Sequence, residues 1–76
     1  NKEQRKINFI KKKWKRSSRG HEYLKFKNHI IVIFYFRDSD KWKFSIDNVF
    51  NKKTFKTREE CIEGIFYALE DLLYNK

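Results

Sequence analysis

Residues 57–73, with the sequence TREECIEGIFYALEDLL, carry apolar side chains at the i, i+3, i+4 and i+7 spacing of an amphipathic helix. The apolar face comprises Cys61, Ile62, Ile65, Phe66, Ala68, Leu69, Leu72 and Leu73. Thr57 and Glu60 have the spacing of a capping box, and Glu59 and Glu60 fall in the first turn, where the helix dipole favours negative charge. We therefore predict one long helix whose solvated, acidic face is formed by Glu63, Tyr67, Glu70, Asp71 and Tyr74.

Alternating segments before this helix predict antiparallel strands. In residues 23–27, Leu24 and Phe26 point to one side of a strand, and residues 28–29 predict a tight turn. Residues 41–47 alternate most clearly, because their hydrophobic positions face one way and their polar positions face the other. The two sets are Trp42, Phe44 and Ile46, and Lys41, Lys43 and Ser45. Residues 37–40 predict a polar hairpin loop and residues 48–53 a turn region. Residues 54–55 could add a last short strand.

The order of these segments predicts an α+β fold, a sheet of three to four antiparallel strands packed against one C-terminal helix. Residues 21–76 would form this β-β-β-α domain. Residues 1–20 would form either a short helix or a flexible basic arm. In the helical alternative Ile7, Ile10 and Trp14 share one apolar stripe, and in the other Trp14 alone is held against the domain.

The segment 30–36, IIVIFYF, is apolar or aromatic at every position. A strand of this kind is covered on both faces. One helix covers only one face of a small sheet, so either the even-numbered or the odd-numbered residues need a second cover. In order of preference, the candidates are the N-terminal segment with Trp14, a second copy of the chain, and a nucleic acid whose bases stack on the aromatic rings.

Charge is distributed unevenly along the chain. Residues 1–56 contain seventeen Lys and Arg against five Asp and Glu, a net charge of +12, whereas residues 57–76 contain two against five, a net charge of −3. A polyanionic partner would therefore be attracted to the N-terminal segment and the strands and repelled by the outer face of the helix.

Composition limits the class of protein. The 76 residues make one domain, and fourteen aromatic residues argue for a compact core. No segment approaches the roughly 18 apolar residues of a membrane span, and the basic start lacks the apolar region of a secretory signal. We therefore expect no membrane span and a cytoplasmic location. The single Cys61 cannot form a disulfide within the chain, and we expect it to pack in the core.

The sequence contains no recognisable catalytic or metal-binding motif. His21, His29 and Cys61 lack the spacing of a zinc site, and Asp38 and Asp40 fall in a turn segment, where Asp is a common turn former. Because a nucleophile elbow and a glycine-rich phosphate loop are also missing, we expect no cofactor and no enzymatic activity.

Two segments resemble known DNA-binding domains. Trp42-Lys-Phe-Ser-Ile46 and Phe55-Lys-Thr57-Arg-Glu59-Glu60-Cys61 resemble the W-x-x-x-I and F-x-T-x-E-E-A patterns of the AP2/ERF-like DNA-binding domain, with Cys61 in place of Ala. The layout is also similar to the arm-type DNA-binding domains of phage and transposon integrases. The resemblance covers residues 30–73 and implies a three-stranded sheet, backed by a helix, whose free face enters the major groove. It would place Lys41 and Lys43 on the DNA side, with Arg37, Lys52 and Lys53 at the edges.

These observations favour a nucleic-acid-binding module, with DNA preferred to RNA as the partner. The candidate contact residues are Lys11, Lys12, Lys13, Lys15, Arg16, Arg19, Arg37, Lys41, Lys43, Lys52 and Lys53. Phosphate contacts would supply most of the affinity, so binding would weaken steeply with salt. The alternative is a protein-interaction module, for example a small phage or mobile-element accessory protein that binds a host factor or forms a homodimer through the 30–36 strand.

Overall fold

The computed structural model describes residues 1–74 of the chain. These residues form two helices and five strands, joined by turns and loops. In chain order the elements are α1 (Lys2–Ile10), β1 (Lys15–Arg16), β2 (Glu22–Phe26), β3 (His29–Phe36), β4 (Lys41–Ile46), β5 (Val49–Phe50) and α2 (Arg58–Tyr74). The fold is α+β, as the sequence predicts. No helix in this range has the length and apolar character needed to cross a bilayer.

The five strands form one antiparallel sheet in chain order, β1-β2-β3-β4-β5. The predicted number of three to four strands is wrong, because a pair of residues joins the sheet at each edge. Lys15 pairs with Tyr23 at one edge, and Val49 pairs with Ile46 at the other. Strands of two residues are too short for an alternating pattern to reveal them in the sequence.

Two hairpins turn on pairs of residues with positive φ. Lys27 and Asn28, with φ of 48° and 67°, connect β2 to β3, and Asp47 and Asn48, with φ of 52° and 69°, connect β4 to β5. Positive φ at both central positions is the geometry of the type I′ turn, whose twist matches that of the flanking strands. The first turn therefore starts one residue before the predicted position, and the predicted loop at 48–53 contains β5.

The candidate strand at 54–55 is a single bridge. Phe55 exchanges two backbone hydrogen bonds with Trp42, each 2.8 Å long, and the chain then turns into α2. Thr57 caps that helix, because its Oγ1 accepts a hydrogen bond from the Glu60 N–H at 3.1 Å. This contact is the first half of the predicted capping box.

The core lies between the helices and one face of the sheet. Its buried side chains are Phe9, Ile31, Ile33, Phe44, Cys61, Ile62, Ile65, Phe66 and Leu69. Burying a large apolar side chain contributes about 1.5–3 kcal/mol to the free energy of unfolding, so the layer between α2 and the sheet dominates the stability of this small domain. Five of the nine side chains come from α2, which agrees with the predicted importance of its apolar face.

Helix α1 packs against the core through Phe9. The Phe9 side chain is 2% exposed, and its ring centroid lies 5.5 Å from that of Phe26 and 6.0 Å from that of Phe66. The predicted apolar stripe of α1 is wrong at Ile7 and Ile10, which are 42% and 44% exposed. The space between α2 and β2 is filled by one large ring, and the helix therefore turns Phe9 to the core and both isoleucines to solvent.

Cations of α1 cover part of the acidic face of α2. Arg5 donates two hydrogen bonds to the Glu70 carboxylate, at 3.0 and 2.8 Å, and Lys6 forms a 3.2 Å salt bridge with Glu63. The prediction of a solvated face is wrong at Glu70, which is only 8% exposed. A carboxylate can be buried there because the guanidinium compensates its lost hydration, and the same hydrogen bonds hold the pKa of Glu70 below its ordinary value.

Both helices lie on the same face of the sheet, the face to which Ile31 and Ile33 point. The N-terminal segment therefore does not supply the predicted second cover for β3, because Trp14 packs beside Phe9 on the helix side. The opposite face carries the even-numbered residues of β3, and Ile30 and Phe36 there are 52% and 43% exposed.

Candidate nucleic-acid interface

The face of the sheet opposite the helices is referred to below as the open face. Strand alternation and register assign eleven outward positions to it. They are Lys15, Tyr23, Lys25, Ile30, Val32, Phe34, Phe36, Lys41, Lys43, Ser45 and Phe50. Four of these residues are lysines, and none of the eleven is Asp or Glu. The open face is therefore cationic, whereas the α2 side of the molecule carries carboxylates.

Aromatic rings form a row across the open face. The His21 and Phe34 rings are 4.6 Å apart between centroids, and the Phe34 and Phe50 rings are 5.0 Å apart. Phe50 is 52% exposed, so at least one flat ring is available to a ligand. Flat, exposed rings are the surfaces on which nucleic-acid bases stack.

Two lysines of β4 lie directly opposite aromatic residues of β3. Lys43 pairs with Phe34, and Lys41 pairs with Phe36. Directly opposed side chains in an antiparallel sheet have Cβ atoms about 4.5–5.5 Å apart, so each of these lysine side chains leaves the sheet beside an aromatic side chain. A side chain that can bind a phosphate and a ring on which a base can stack are therefore neighbours.

The basic residues that connect α1 to β1 diverge. Lys12 lies on the helix side, with its Nζ 5.3 Å from the centre of the Phe26 ring, and Lys15 lies on the open face. Lys11 and Lys13 are exposed. The cluster 11–16 therefore does not form one surface.

Lys52 and Lys53 lie away from the open face. They line a groove beside α2 together with Glu60 and Glu63. Carboxylates beside these two lysines reduce the attraction of the groove for a polyanion.

The three predicted arginines meet in one cleft on the helix side of the sheet. Arg16 lies in β1, Arg19 in the β1–β2 turn and Arg37 at the start of the β3–β4 loop, and all three line a cleft of about 400 Å³. The eleven candidate residues are therefore divided among the open face, the arginine cleft, the α2 groove and the α1–β1 connection.

Sequence reasoning did not select Lys25, Tyr23, Phe34 or Phe50 as site residues. The alternation of 23–27 already placed Tyr23 and Lys25 on one side of a strand, so that signal was present. Phe50 has no alternating pattern around it, because β5 has only two residues and its direction depends on the turn at 47–48.

The remaining chemically active side chains are engaged within the fold. His29 Nδ1 lies 2.6 Å from Asp47 Oδ2, and this contact holds the pKa of Asp47 below its ordinary value. Cys61 is fully buried, which raises the pKa of its thiol to about 12. Within residues 1–74, no group of three or more His, Cys, Asp or Glu side chains is arranged to hold a metal ion.

No protein-family model, no curated protein and no solved structure matches this chain. The side chains of the open face and of the arginine cleft are therefore the basis for assigning a function.

Proposed function

We propose that this protein binds nucleic acid, DNA in preference to RNA, through the open face of its sheet. The observation that carries the proposal is the composition of that face: four lysines, the two exposed aromatic rings of Phe36 and Phe50, and no carboxylate among its eleven positions. Lysines supply phosphate contacts that are independent of base sequence, and the rings supply contacts with bases.

The preference for DNA rests on groove geometry. The major groove of B-DNA is wide enough to admit a two-stranded β-ribbon, whereas the major groove of A-form RNA is too narrow for side chains to reach the bases. The paired strands β3 and β4 carry Lys41 and Lys43 outward and are the longest strands of the sheet. They are the part of the sheet best suited to enter a groove.

A mobility-shift titration tests the proposal directly. Duplex DNA, duplex RNA and single-stranded DNA of matched length are titrated at low and moderate salt. If all four lysines of the open face contact phosphates, the logarithm of the association constant should fall with the logarithm of salt concentration with a slope of about −3.6 for B-DNA. Absence of any retardation at low salt would remove the proposal, and tighter binding of duplex RNA would remove the preference for DNA.

A pair of double variants separates the open face from the overall charge. Lys41→Gln/Lys43→Gln removes two open-face cations and should reduce the salt slope by about two. Lys52→Gln/Lys53→Gln removes the same charge from the α2 groove and should leave the slope nearly unchanged. Equal effects of the two variants would show that only net charge matters.

A homodimer is the second candidate, because the open face also carries exposed apolar side chains. Ile30 and Phe50 are each 52% exposed, and Val49 is 70% exposed at the adjacent edge. Two copies that met through this face would bring eight lysines together without a carboxylate between them, which opposes self-association. Light scattering that reports a dimer at low salt, dissociated by Ile30→Lys, would favour this candidate over nucleic-acid binding.

A further inference from the structure

The arginine cleft lies on the opposite face of the sheet from the proposed nucleic-acid interface. Its lining includes the rings of Tyr35 and Trp42, whose centroids are 4.8 Å apart and which are inclined by 44°. Its rim carries the three arginines Arg16, Arg19 and Arg37. A cleft of about 400 Å³ is within the size range of small-molecule sites, roughly 300–1,000 Å³.

These three arginines differ from the other two in their pairing, although Arg16 lies opposite Glu22 in the β1–β2 pair and donates a hydrogen bond to the Gly20 carbonyl at 3.2 Å. The chain contains five arginines, of which Arg5 pairs with Glu70 and Arg58 pairs with Glu22. None of the remaining three forms a salt bridge with a carboxylate in residues 1–74. Because the guanidinium fork matches a phosphate in geometry and charge, three such groups around one cleft favour an anionic ligand.

Glu22, the one carboxylate among the residues that line the cleft, offsets only part of this charge. Glu22 accepts two hydrogen bonds from Arg58, at 2.7 and 2.6 Å, and these bonds, more than the nearby charge of Arg16, hold the pKa of Glu22 below its ordinary value. Tyr35 donates its hydroxyl proton to Asp40 at 2.6 Å, and this bond fixes the position of the ring beside Trp42. The cleft therefore combines two neighbouring aromatic rings with three arginines, of which Arg19 and Arg37 form no salt bridge within residues 1–74.

We propose that the arginine cleft binds a nucleotide, with the phosphate held by Arg16, Arg19 and Arg37 and the base stacked on Tyr35 and Trp42. The inference goes beyond the proposed function, because the three arginines lie on the helix side of the sheet and the lysines of the open face lie on the other side. The same chemistry is present in a free mononucleotide and in the 5′-phosphorylated end of a strand, and the experiment below distinguishes these two sources.

The two tryptophans allow a direct test by NMR. The indole N–H signal of Trp42 reports on the cleft, and that of Trp14, which packs beside Phe9, is an internal reference. Titration with deoxyadenosine 5′-monophosphate should shift the Trp42 signal and leave the Trp14 signal in place. Because hydrogen bonds to charged groups carry most of the recognition, deoxyadenosine should bind at least about tenfold more weakly. Equal affinity for deoxyadenosine, or for inorganic phosphate, would overturn the assignment of a nucleotide.

Two matched variants identify the residues involved. Arg19→Gln/Arg37→Gln changes two loop residues and should weaken mononucleotide binding by roughly tenfold or more. Lys52→Gln/Lys53→Gln removes the same charge from the α2 groove and should bind as the unchanged protein does. Equal weakening by both variants would overturn the proposal. Duplex binding is measured on the same samples, so failure at the cleft is distinguished from failure at the open face.

A comparison of oligonucleotides identifies the source of the nucleotide. Single strands of the same sequence, with and without a 5′-phosphate, are titrated while the Trp42 signal is followed. Tighter binding of the phosphorylated strand than of the mononucleotide supports a strand end as the ligand, and equal binding supports a free nucleotide. If none of the phosphorylated probes shifts Trp42, the proposal is wrong.

Discussion

Gly64 is the residue at which helix propensity and packing oppose each other. A Cβ atom at this position would lie 2.5 Å from Cζ of Phe55, because the tip of that ring approaches the helix at this point. We expect Gly64→Ala to lower the free energy of unfolding by about 1 kcal/mol, because overpacking of about 1–3 kcal/mol exceeds the helix-propensity gain of about 1 kcal/mol.

The effect of Gly64→Ala on the free energy of unfolding should change sign when the Phe55 ring is removed. In a Phe55→Leu background, Gly64→Ala should stabilise the protein by about 0.5–1 kcal/mol, because only the propensity gain remains. Urea denaturation of the four proteins in this cycle measures the effect. The same sign in both backgrounds would contradict the explanation.

The Cys61 thiol should be unreactive in the folded protein. Its burial raises the pKa to about 12, so almost no thiolate is present at pH 8, and reagents cannot reach it. Labelling with a thiol reagent at pH 8 is expected to be slow without urea and to become fast above the unfolding midpoint. Rapid, complete labelling of the native protein would show that the first turns of α2 open readily.

Single residues also mark the limits of prediction from sequence. Thr57 was identified as a cap because the capping box is a local pattern, and the Glu60 N–H bonds to its hydroxyl as expected. The contact between Arg5 and Glu70 joins residues 65 positions apart, and no local pattern specifies it. Local chemistry was therefore predictable at this scale, and long-range pairing was not.

At the scale of elements, α1 should depend on Phe9 and not on its isoleucines. Phe9→Ala removes a fully packed ring and is expected to cost about 3 kcal/mol or more in the free energy of unfolding. Ile7 lies on the same helix and is 42% exposed, so Ile7→Ala should change the free energy of unfolding by less than about 1 kcal/mol.

Amide hydrogen exchange distinguishes local from global effects of these variants. If Phe9 docks α1, the amides of α1 in Phe9→Ala should exchange faster than those of α2 and β3. A larger loss of free energy of unfolding for Ile7→Ala than for Phe9→Ala would instead support the apolar stripe of α1 that the sequence predicts.

The strength of each sequence pattern decided which elements were predicted. Helix α2 and strand β4 have long, regular patterns, and the structure contains both. Strands β1 and β5 have two residues each, and β5 depends on the type I′ turn at Asp47 and Asn48. Adjacent Asp and Asn between hydrophobic residues are a signal for such a turn, so β5 could have been inferred from the turn chemistry.

At the scale of the whole molecule, acid should destabilise the fold. Salt bridges and hydrogen bonds lower the pKa values of Glu22, Asp47 and Glu70 from ordinary values of 4.5, 3.8 and 4.5. A carboxyl whose pKa is lower in the folded state contributes stability above its unfolded pKa and loses it as the pH falls through the folded pKa. The melting temperature should therefore decrease as the pH is lowered below about 5.

The Glu22→Gln variant provides the control for this acid effect. Glu22 accepts hydrogen bonds from Arg58, 36 positions along the chain. Replacing Glu22 removes one of the three carboxyl groups whose protonation favours unfolding. The variant should have a lower melting temperature at neutral pH and a weaker dependence on pH between about 5 and 3. Thermal denaturation followed by circular dichroism measures both, and an unchanged pH dependence would assign the acid effect to other groups.

The charge asymmetry of the sequence was informative for the whole molecule but incomplete. Residues 1–56 do supply the lysines of the open face, yet Arg5 and Lys6 pair with α2, and three arginines lie on the helix side. Strand alternation in β4 predicted the side to which Lys41 and Lys43 point. The arginine cleft could not be predicted, because it is assembled from β1, a turn and a loop whose proximity depends on the completed sheet.

The placement of both helices behind the sheet determines on which side of the molecule a label or a support would lie. The first helix begins, and the second ends, on the back of the sheet, where the Arg5 guanidinium lies 5.0 Å from the centre of the Tyr74 ring. A dye, a bead or a neighbouring polypeptide joined at either end would therefore be tethered behind the strands. Immobilised in this way, the protein would present its lysine-bearing surface outward without obstruction.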